Sequence, residues 1–432
     1  VLLTVAPQYR LMGGSCNTTG IGLHNLAQVL QDLGHNVKVL NCDRAETANI
    51  ILDDRWLYFN EDALMLANWS DPLFLQKVIQ PIIDFDPDVI GFYVYSSSID
   101  YTKKMIRALK NQMGHKVRFM AGGIHFLLNE PTDNDKKYFD TICRSEAEDC
   151  IEDMLYDSKV ISRGFTDLSH IPIVGNTIFF DEGLDELSRL DTSRGCPFNC
   201  TFCCATTLKI PIRFRPIEYI LQDINYRQGL GITDFVFSDE LFVFNTKRLR
   251  ELAANWPNDI SITVETRVDS VNEERLNLLK EMGCIKIKFG VEYGTQHQLD
   301  ITHKQITLDQ IRKTCKLTKE IGISFQANHI IGCPKCDEDI YLKELDFLES
   351  LDSDWYSSAV LAPYHGTPLY EEVKNDITPV MEVQLRRGHF TNSNWFKLWG
   401  ITPKVLERTA LLNTGKKHSL EVIGEGHRQK VD

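Results

Sequence analysis

Apolar and polar positions along this chain follow two alternating periods. Residues 1–5 form a short apolar run, 20–33 repeat apolar positions at helical spacing, and 37–40 are again apolar, which predicts strand, helix, strand. After the break at Pro87 come an apolar run at 89–94, a helical pattern over 101–112, a strand over 117–120 and a turn at Gly122-Gly123. Short strands joined by helices need crossover connections and so run parallel. Residues 1 to about 155 are therefore expected to form a doubly wound α/β domain of Rossmann-like type, binding its ligand at the carboxyl ends of its strands. From 156 to 185, Gly164, Pro172 and Gly175 interrupt a stretch of little periodicity, as a linker would.

A second series follows. Strand-like runs at 187–190, 235–237, 262–264, 285–291, 325–331 and 357–361 alternate with helical patterns at 217–226, 247–255, 273–281, 308–320 and 340–348. Six such units are too few for an eightfold barrel, so residues 186–375 are expected to close as a partial (βα)6 TIM barrel. Residues 376–432, with Trp395, Trp399 and Pro403 ahead of a polar tail, read as a short capping segment.

Charge and composition narrow the partners. Across 432 residues, 47 Lys and Arg face 60 Asp and Glu, a net charge of −13 that repels phosphate backbones and argues against nucleic acid. No apolar run reaches the roughly 20 residues of a membrane helix, and no secretory pattern opens the chain, so a cytoplasmic location without membrane contact is expected. In that compartment, twelve cysteines point to metal, redox or thiophilic chemistry rather than to disulfides.

The cysteines are concentrated where chemistry would need them. Directly after the first strand of the second series comes Arg194-Gly-Cys196-Pro-Phe-Asn-Cys200-Thr-Phe-Cys203-Cys204. Three thiolates at this spacing can each hold one iron of a [4Fe–4S] cubane and leave the fourth iron open to a substrate. The alternative is tetrahedral zinc with Cys204 as fourth ligand, but structural zinc sites favour cysteine pairs separated by a longer loop.

With C-x3-C-x2-C after the first strand of a partial barrel, the sequence resembles the radical SAM superfamily. The resemblance implies an enzyme of transferase type in which Cys196, Cys200 and Cys203 ligate the cluster and the open iron chelates S-adenosylmethionine (SAM), whose C–S bond breaks on reduction. An electron donor such as flavodoxin or ferredoxin and a small-molecule substrate are the implied partners. Phe202 is expected near the adenine, Asp239 and Glu240 near the SAM amino group, and Glu265 and Arg267 at the ribose hydroxyls and carboxylate. Gly290-Val-Glu292-Tyr-Gly294, His303-Lys-Gln-Ile-Thr307, His329-Ile-Ile-Gly332-Cys-Pro334 and Ala362-Pro-Tyr-His-Gly366 resemble strand ends of the subgroup that carries a cobalamin-binding domain before the barrel, and Glu292 joins the cofactor set on that ground.

The first domain agrees with that subgroup through Gly34-His35-Asn-Val37, Asp86-Pro-Asp88-Val-Ile-Gly91 and Ala121-Gly-Gly-Ile-His125. Cobalamin is thus a possible further cofactor, although no Asp-x-His-x-x-Gly motif supplies an axial histidine; His24 and His125 read as ordinary turn or surface residues. The Gly13-Gly14-Ser15 loop could cradle a phosphate-bearing tail. Cys333 and Cys336, in Gly332-Cys-Pro-Lys-Cys-Asp337, depart from the subgroup's plain glycine turn and, with Cys204, invite a substrate role, because two thiols at this spacing suit a soft ion such as arsenite. Together with chain length and domain order, they resemble enzymes that attach the 3-amino-3-carboxypropyl part of SAM to trivalent arsenic in arsinothricin biosynthesis. The alternatives are a cobalamin-dependent methyltransferase or C–C bond-forming enzyme, and a non-catalytic metal or redox sensor.

Overall fold

Six parallel strands form the first sheet of the computed structural model, which describes residues 1–7, 20–43, 72–113, 116–179, 187–386 and 393–414. In chain order the elements are β1 (Leu2–Val5), α1 (Ile21–Asp32), β2 (Lys38–Asn41), α2 (Pro72–Phe85), β3 (Val89–Tyr93), α3 (Ile99–Gln112), β4 (Arg118–Gly122), β5 (Thr141–Cys143), α4 (Ile151–Tyr156) and β6 (Val160–Ile161). The sheet order is β2-β1-β3-β4-β5-β6. β1 is buried along its whole length because it pairs on both sides, with β2 and β3. The chain therefore reverses direction across the sheet between β1 and β3, the place where open α/β sheets leave a crevice for ligands.

Local rules explain the boundaries. α1 buries Leu23, Ala27 and Leu30 and ends where Gly34, at φ 90°, lets the His35 N–H return to the Leu30 carbonyl at 3.1 Å. α2 and α3 cover one face through Val78, Ile79, Ile82, Tyr101, Met105, Ile106 and Leu109, all fully buried. Truncating Ile106 to Ala there would cost about 2–5 kcal/mol. The stretch read as a linker instead contributes β6 to the sheet edge, and a compact unit runs from Val1 to Glu186.

The second unit begins at Leu187. Its strands are β7 (Arg189–Leu190), the short antiparallel pair β8 (Ser193–Arg194) and β9 (Arg213–Phe214), then β10 (Asp234–Phe237), β11 (Ser261–Arg267), β12 (Cys284–Glu292), β13 (Ser324–Ile331) and β14 (Trp355–Val360). Helices α5 (Ile217–Gly229), α6 (Thr246–Ala254), α7 (Glu273–Glu281), α8 (Leu308–Ile321) and α9 (Glu338–Ser350) alternate with them. The parallel order β7-β10-β11-β12-β13-β14 follows the chain, the open partial barrel that six units allow. Beside the two-residue β7, Arg227 on α5 takes the Leu187 and Arg189 carbonyls at 2.8 and 2.9 Å, fixed by buried Asp223, which also binds Arg215.

Fully buried residues alternate with partly exposed ones along the barrel strands. The row at one register is Glu265, Lys288, Gln326 and Trp355, of which Gln326 is buried and the other three are partly exposed. Closed barrels fill their lumen with branched aliphatics; the polar row here suits an open barrel that admits a polar ligand. A C-terminal helix, α10 (Pro403–Thr414), lies against α9 and β14, with Arg408 3.1 Å from Asp346, and Trp399 Nε1 donates to the Leu361 carbonyl at 3.1 Å. The capping segment thereby covers the β14 edge. Among the described residues, no helix is long and apolar enough to cross a membrane.

Candidate active site

The cysteine loop leaves the carboxyl end of β7 and is fastened at its root. Asp239, just past β10 and fully buried, accepts from Thr192 N (2.9 Å), Thr192 Oγ1 (2.6 Å) and Ser193 Oγ (2.6 Å). Glu240 accepts from Gly195 N at 3.1 Å, and Arg194 donates to Asp191 at 2.7 Å. Gly195 sits at φ 96°, and a Cβ on it would lie 2.2 Å from the Pro211 carbonyl oxygen, so no side chain fits. Both acidic residues expected at the SAM amino group thus hold the backbone ahead of Cys196. Burial pushes the Asp239 carboxyl up to about 7, and it raises Glu240 as well.

Within the loop, Cys200 is buried and Cys196 and Cys203 are partly exposed. Burial raises the Cys196 and Cys200 thiols, and it pushes Cys204 up to about 12. Thr206 Oγ1 donates to the Cys200 carbonyl at 3.0 Å, and Thr201 N donates to the Thr302 carbonyl at 3.0 Å. Among the described residues, no three His, Cys, Asp or Glu side chains converge on a point that one metal ion could share. Three thiols on one short loop suit a polynuclear cluster, whose irons take one thiolate each.

Of the remaining expected residues, Arg267 touches this loop directly. Glu265 pairs with Lys288 at 2.9 Å and Glu292 with Lys304 at 2.9 Å. Gly290 makes the second pair possible, since a Cβ there would lie 2.5 Å from Glu292 Oε1. Arg267 binds Asp269, the Lys304 carbonyl and Cys200 Sγ. Phe202 meets Tyr293 edge-on, ring centres 6.4 Å apart. Lys304, Tyr293 and Asp269 carried no assignment from sequence; the signal for Lys304 was a cation inside the His303–Thr307 motif, and here its side chain is 5% exposed.

The three further candidate cysteines, Cys204, Cys333 and Cys336, divide. Cys333 is fully buried and its thiol meets that of Cys336, among Tyr293, Tyr341 and Glu344. The Tyr341 hydroxyl accepts from Cys333 N (2.9 Å) and donates to the Trp399 carbonyl (2.6 Å). Cys204 lies near Tyr364 instead.

In the N-terminal unit, the carboxyl edge brings the Gly122-Gly123 turn against the loop after β3. Gly123, at φ 96°, would place a Cβ 2.9 Å from Val94 N, and His125 Nδ1 lies 3.0 Å from Ser96 Oγ. His24 packs edge-on to Phe179, ring centres 4.9 Å apart. Both histidines are buried rather than at the surface. Glycine and serine at this edge fit a ligand rich in amide and phosphate groups. The Gly13–Ser15 loop lies outside the described residues.

Residues 190–342 match the radical SAM superfamily and residues 17–155 match the B12 binding domain. The chain is accordingly a radical SAM enzyme that carries a B12 binding domain ahead of its barrel, and the cofactors of this class are SAM and a [4Fe–4S] cluster. It is 26% identical over 399 residues to an uncharacterized methyltransferase of Pyrococcus horikoshii, covering 80% of this chain and 85% of that protein. It is 22% identical to an anaerobic magnesium-protoporphyrin IX monomethyl ester cyclase of Cereibacter sphaeroides, covering 77% of this chain and 64% of that one. The fold is similar to that of the radical SAM methyltransferase TsrM from Kitasatospora setae, solved with cobalamin and [4Fe-4S] cluster bound (TM-score 0.62, 15% identity, 87% of this chain and 75% of that one). It is also similar to the cobalamin-dependent enzyme OxsB (TM-score 0.61, 17% identity, 92% and 57%).

Proposed function

We propose that this protein is a cobalamin-dependent, methyltransferase-like radical SAM enzyme that moves a SAM-derived carbon fragment to a small acceptor. The observation that carries the reading is the three-cysteine loop at the carboxyl end of the first barrel strand, in one chain with a B12 binding domain. When bound, the cluster supplies the electron that breaks a C–S bond of the SAM sulfonium. Cys196, Cys200 and Cys203 would hold it; Asp239 and Glu240 fix the loop ahead of Cys196, and Glu240 would offer its carboxylate toward an ammonium; Phe202 would lie along the adenine. Glu265 and Glu292 would present acceptors at the strand ends for the ribose, and Arg267, held mostly by protein contacts, would add positive charge for the carboxylate.

A narrower reading makes trivalent arsenic the acceptor and the 3-amino-3-carboxypropyl group the fragment. Contact between the Cys333 and Cys336 thiols supports it, because a soft ion needs two sulfurs within reach. Anaerobic reconstitution with cluster and cobalamin, followed by mass analysis of products from carbon-labelled SAM with and without arsenite, tests both. Bound corrinoid with methyl loss from SAM supports the first, and a carboxypropyl–arsenic product the second. SAM left intact under reducing conditions would refute both.

A further inference from the structure

One side chain grips the cysteine loop at two places. Arg267, the last residue of β11, lays its guanidinium carbon 3.8 Å from the centre of the Phe198 ring and donates from Nη1 to Cys200 Sγ at 3.5 Å. Its Nε and Nη2 bind the Asp269 carboxylate at 2.8 and 2.9 Å, and Nη2 also reaches the Lys304 carbonyl at 2.6 Å. Four of the five N–H groups of a guanidinium are thereby engaged within the protein. The side chain is 6% exposed, so its charge acts on Cys200 through little water.

We infer that Arg267 is a positioning residue that also sets the reduction potential of the cluster. The inference rests on the proposed ligation by Cys196, Cys200 and Cys203. Reduction adds negative charge, which a neighbouring cation and an N–H to the ligand sulfur stabilise, so Arg267 raises the potential. Asp269 opposes it, because its carboxylate neutralises part of the same guanidinium charge. Lys304 carries a second cation toward Cys200, itself offset by Glu292. Arg267 and Asp269 should therefore shift the potential in opposite directions, which a purely structural pair would not do.

The test is a redox titration of the reconstituted full-length protein without SAM, followed by electron paramagnetic resonance, on wild type, Arg267→Met, Arg267→Lys and Asp269→Asn. The expected midpoint moves to more negative potential in Arg267→Met, less far in Arg267→Lys, and to more positive potential in Asp269→Asn. Unmoved midpoints, or shifts of the same sign in Arg267→Met and Asp269→Asn, would overturn the inference. If Arg267→Met fails to load iron, Arg267→Lys against Asp269→Asn decides by the same opposition of sign. A wild type that assembles no cluster would overturn the ligand assignment itself, and with it this inference, whereas unmoved midpoints leave that assignment standing.

Discussion

Asp239→Asn separates the electrostatic load on the loop anchor from its hydrogen bonds. Asp239 is fully buried, and burial outweighs its three donors to hold the carboxyl at about 7 against an ordinary 3.8. Between those values the folded chain keeps a proton that the unfolded chain has released. The associated stability is complete below about pH 4 and is lost as pH rises through about 7. At about 1.4 kcal/mol per unit, a window of roughly three units comes to about 4 kcal/mol, of which about 2–3 kcal/mol falls between about pH 5 and pH 7. Asparagine carries no charge and can keep every contact. Its carbonyl takes the Thr192 N–H, and its amide donates to the Thr192 and Ser193 hydroxyls, which accept as readily as they donate. The assay is urea unfolding of the metal-free protein across this pH range, followed by tryptophan fluorescence, to which four of the six tryptophans, Trp256, Trp355, Trp395 and Trp399, contribute from the barrel unit. Relative to wild type, Asp239→Asn should gain about 2–3 kcal/mol between about pH 5 and pH 7. A difference that stays constant across the range would refute the argument.

Gly195→Ala should lose most of its iron after reconstitution, because a left-handed residue costs about 1–2 kcal/mol and the Pro211 carbonyl cannot yield; iron at the wild-type ratio would count against the loop geometry. Glu265→Gln should weaken SAM binding about five- to tenfold by calorimetry, roughly the difference between a charge-assisted and a neutral hydrogen bond, while leaving cluster content unchanged. Replacing Cys333 and Cys336 together by Ser should spare the cluster and SAM cleavage but remove any arsenite-dependent product, and equal product from both proteins would dismiss the thiol site.

Much of the fold was legible because parallel α/β architecture writes itself locally, in apolar runs and helical repeats. The cysteine loop was legible for a similar reason: its three thiols lie within eight positions, 196–203. What tertiary structure adds is the meaning of distant residues. Asp239 read as an acid near a SAM ammonium, yet its oxygens are taken by Thr192 and Ser193, 47 and 46 residues earlier. Gly290 read as part of a motif, and only the approach of Glu292 to Lys304 explains the missing side chain. The Leu187 and Arg189 carbonyls at the first barrel strand are taken by buried Arg227 from the following helix, a contact that no local pattern encodes.

The central claim is that Cys196, Cys200 and Cys203 hold a [4Fe–4S] cluster whose open iron binds SAM. The most direct measurement is the electron paramagnetic resonance spectrum of the anaerobically reconstituted, dithionite-reduced protein before and after SAM is added, beside the variant with all three cysteines changed to Ala. The account predicts a reduced-cluster signal in wild type that changes on adding SAM, and no such signal in the variant. A wild-type signal indifferent to SAM, or a variant that keeps the cluster and its response, would contradict it.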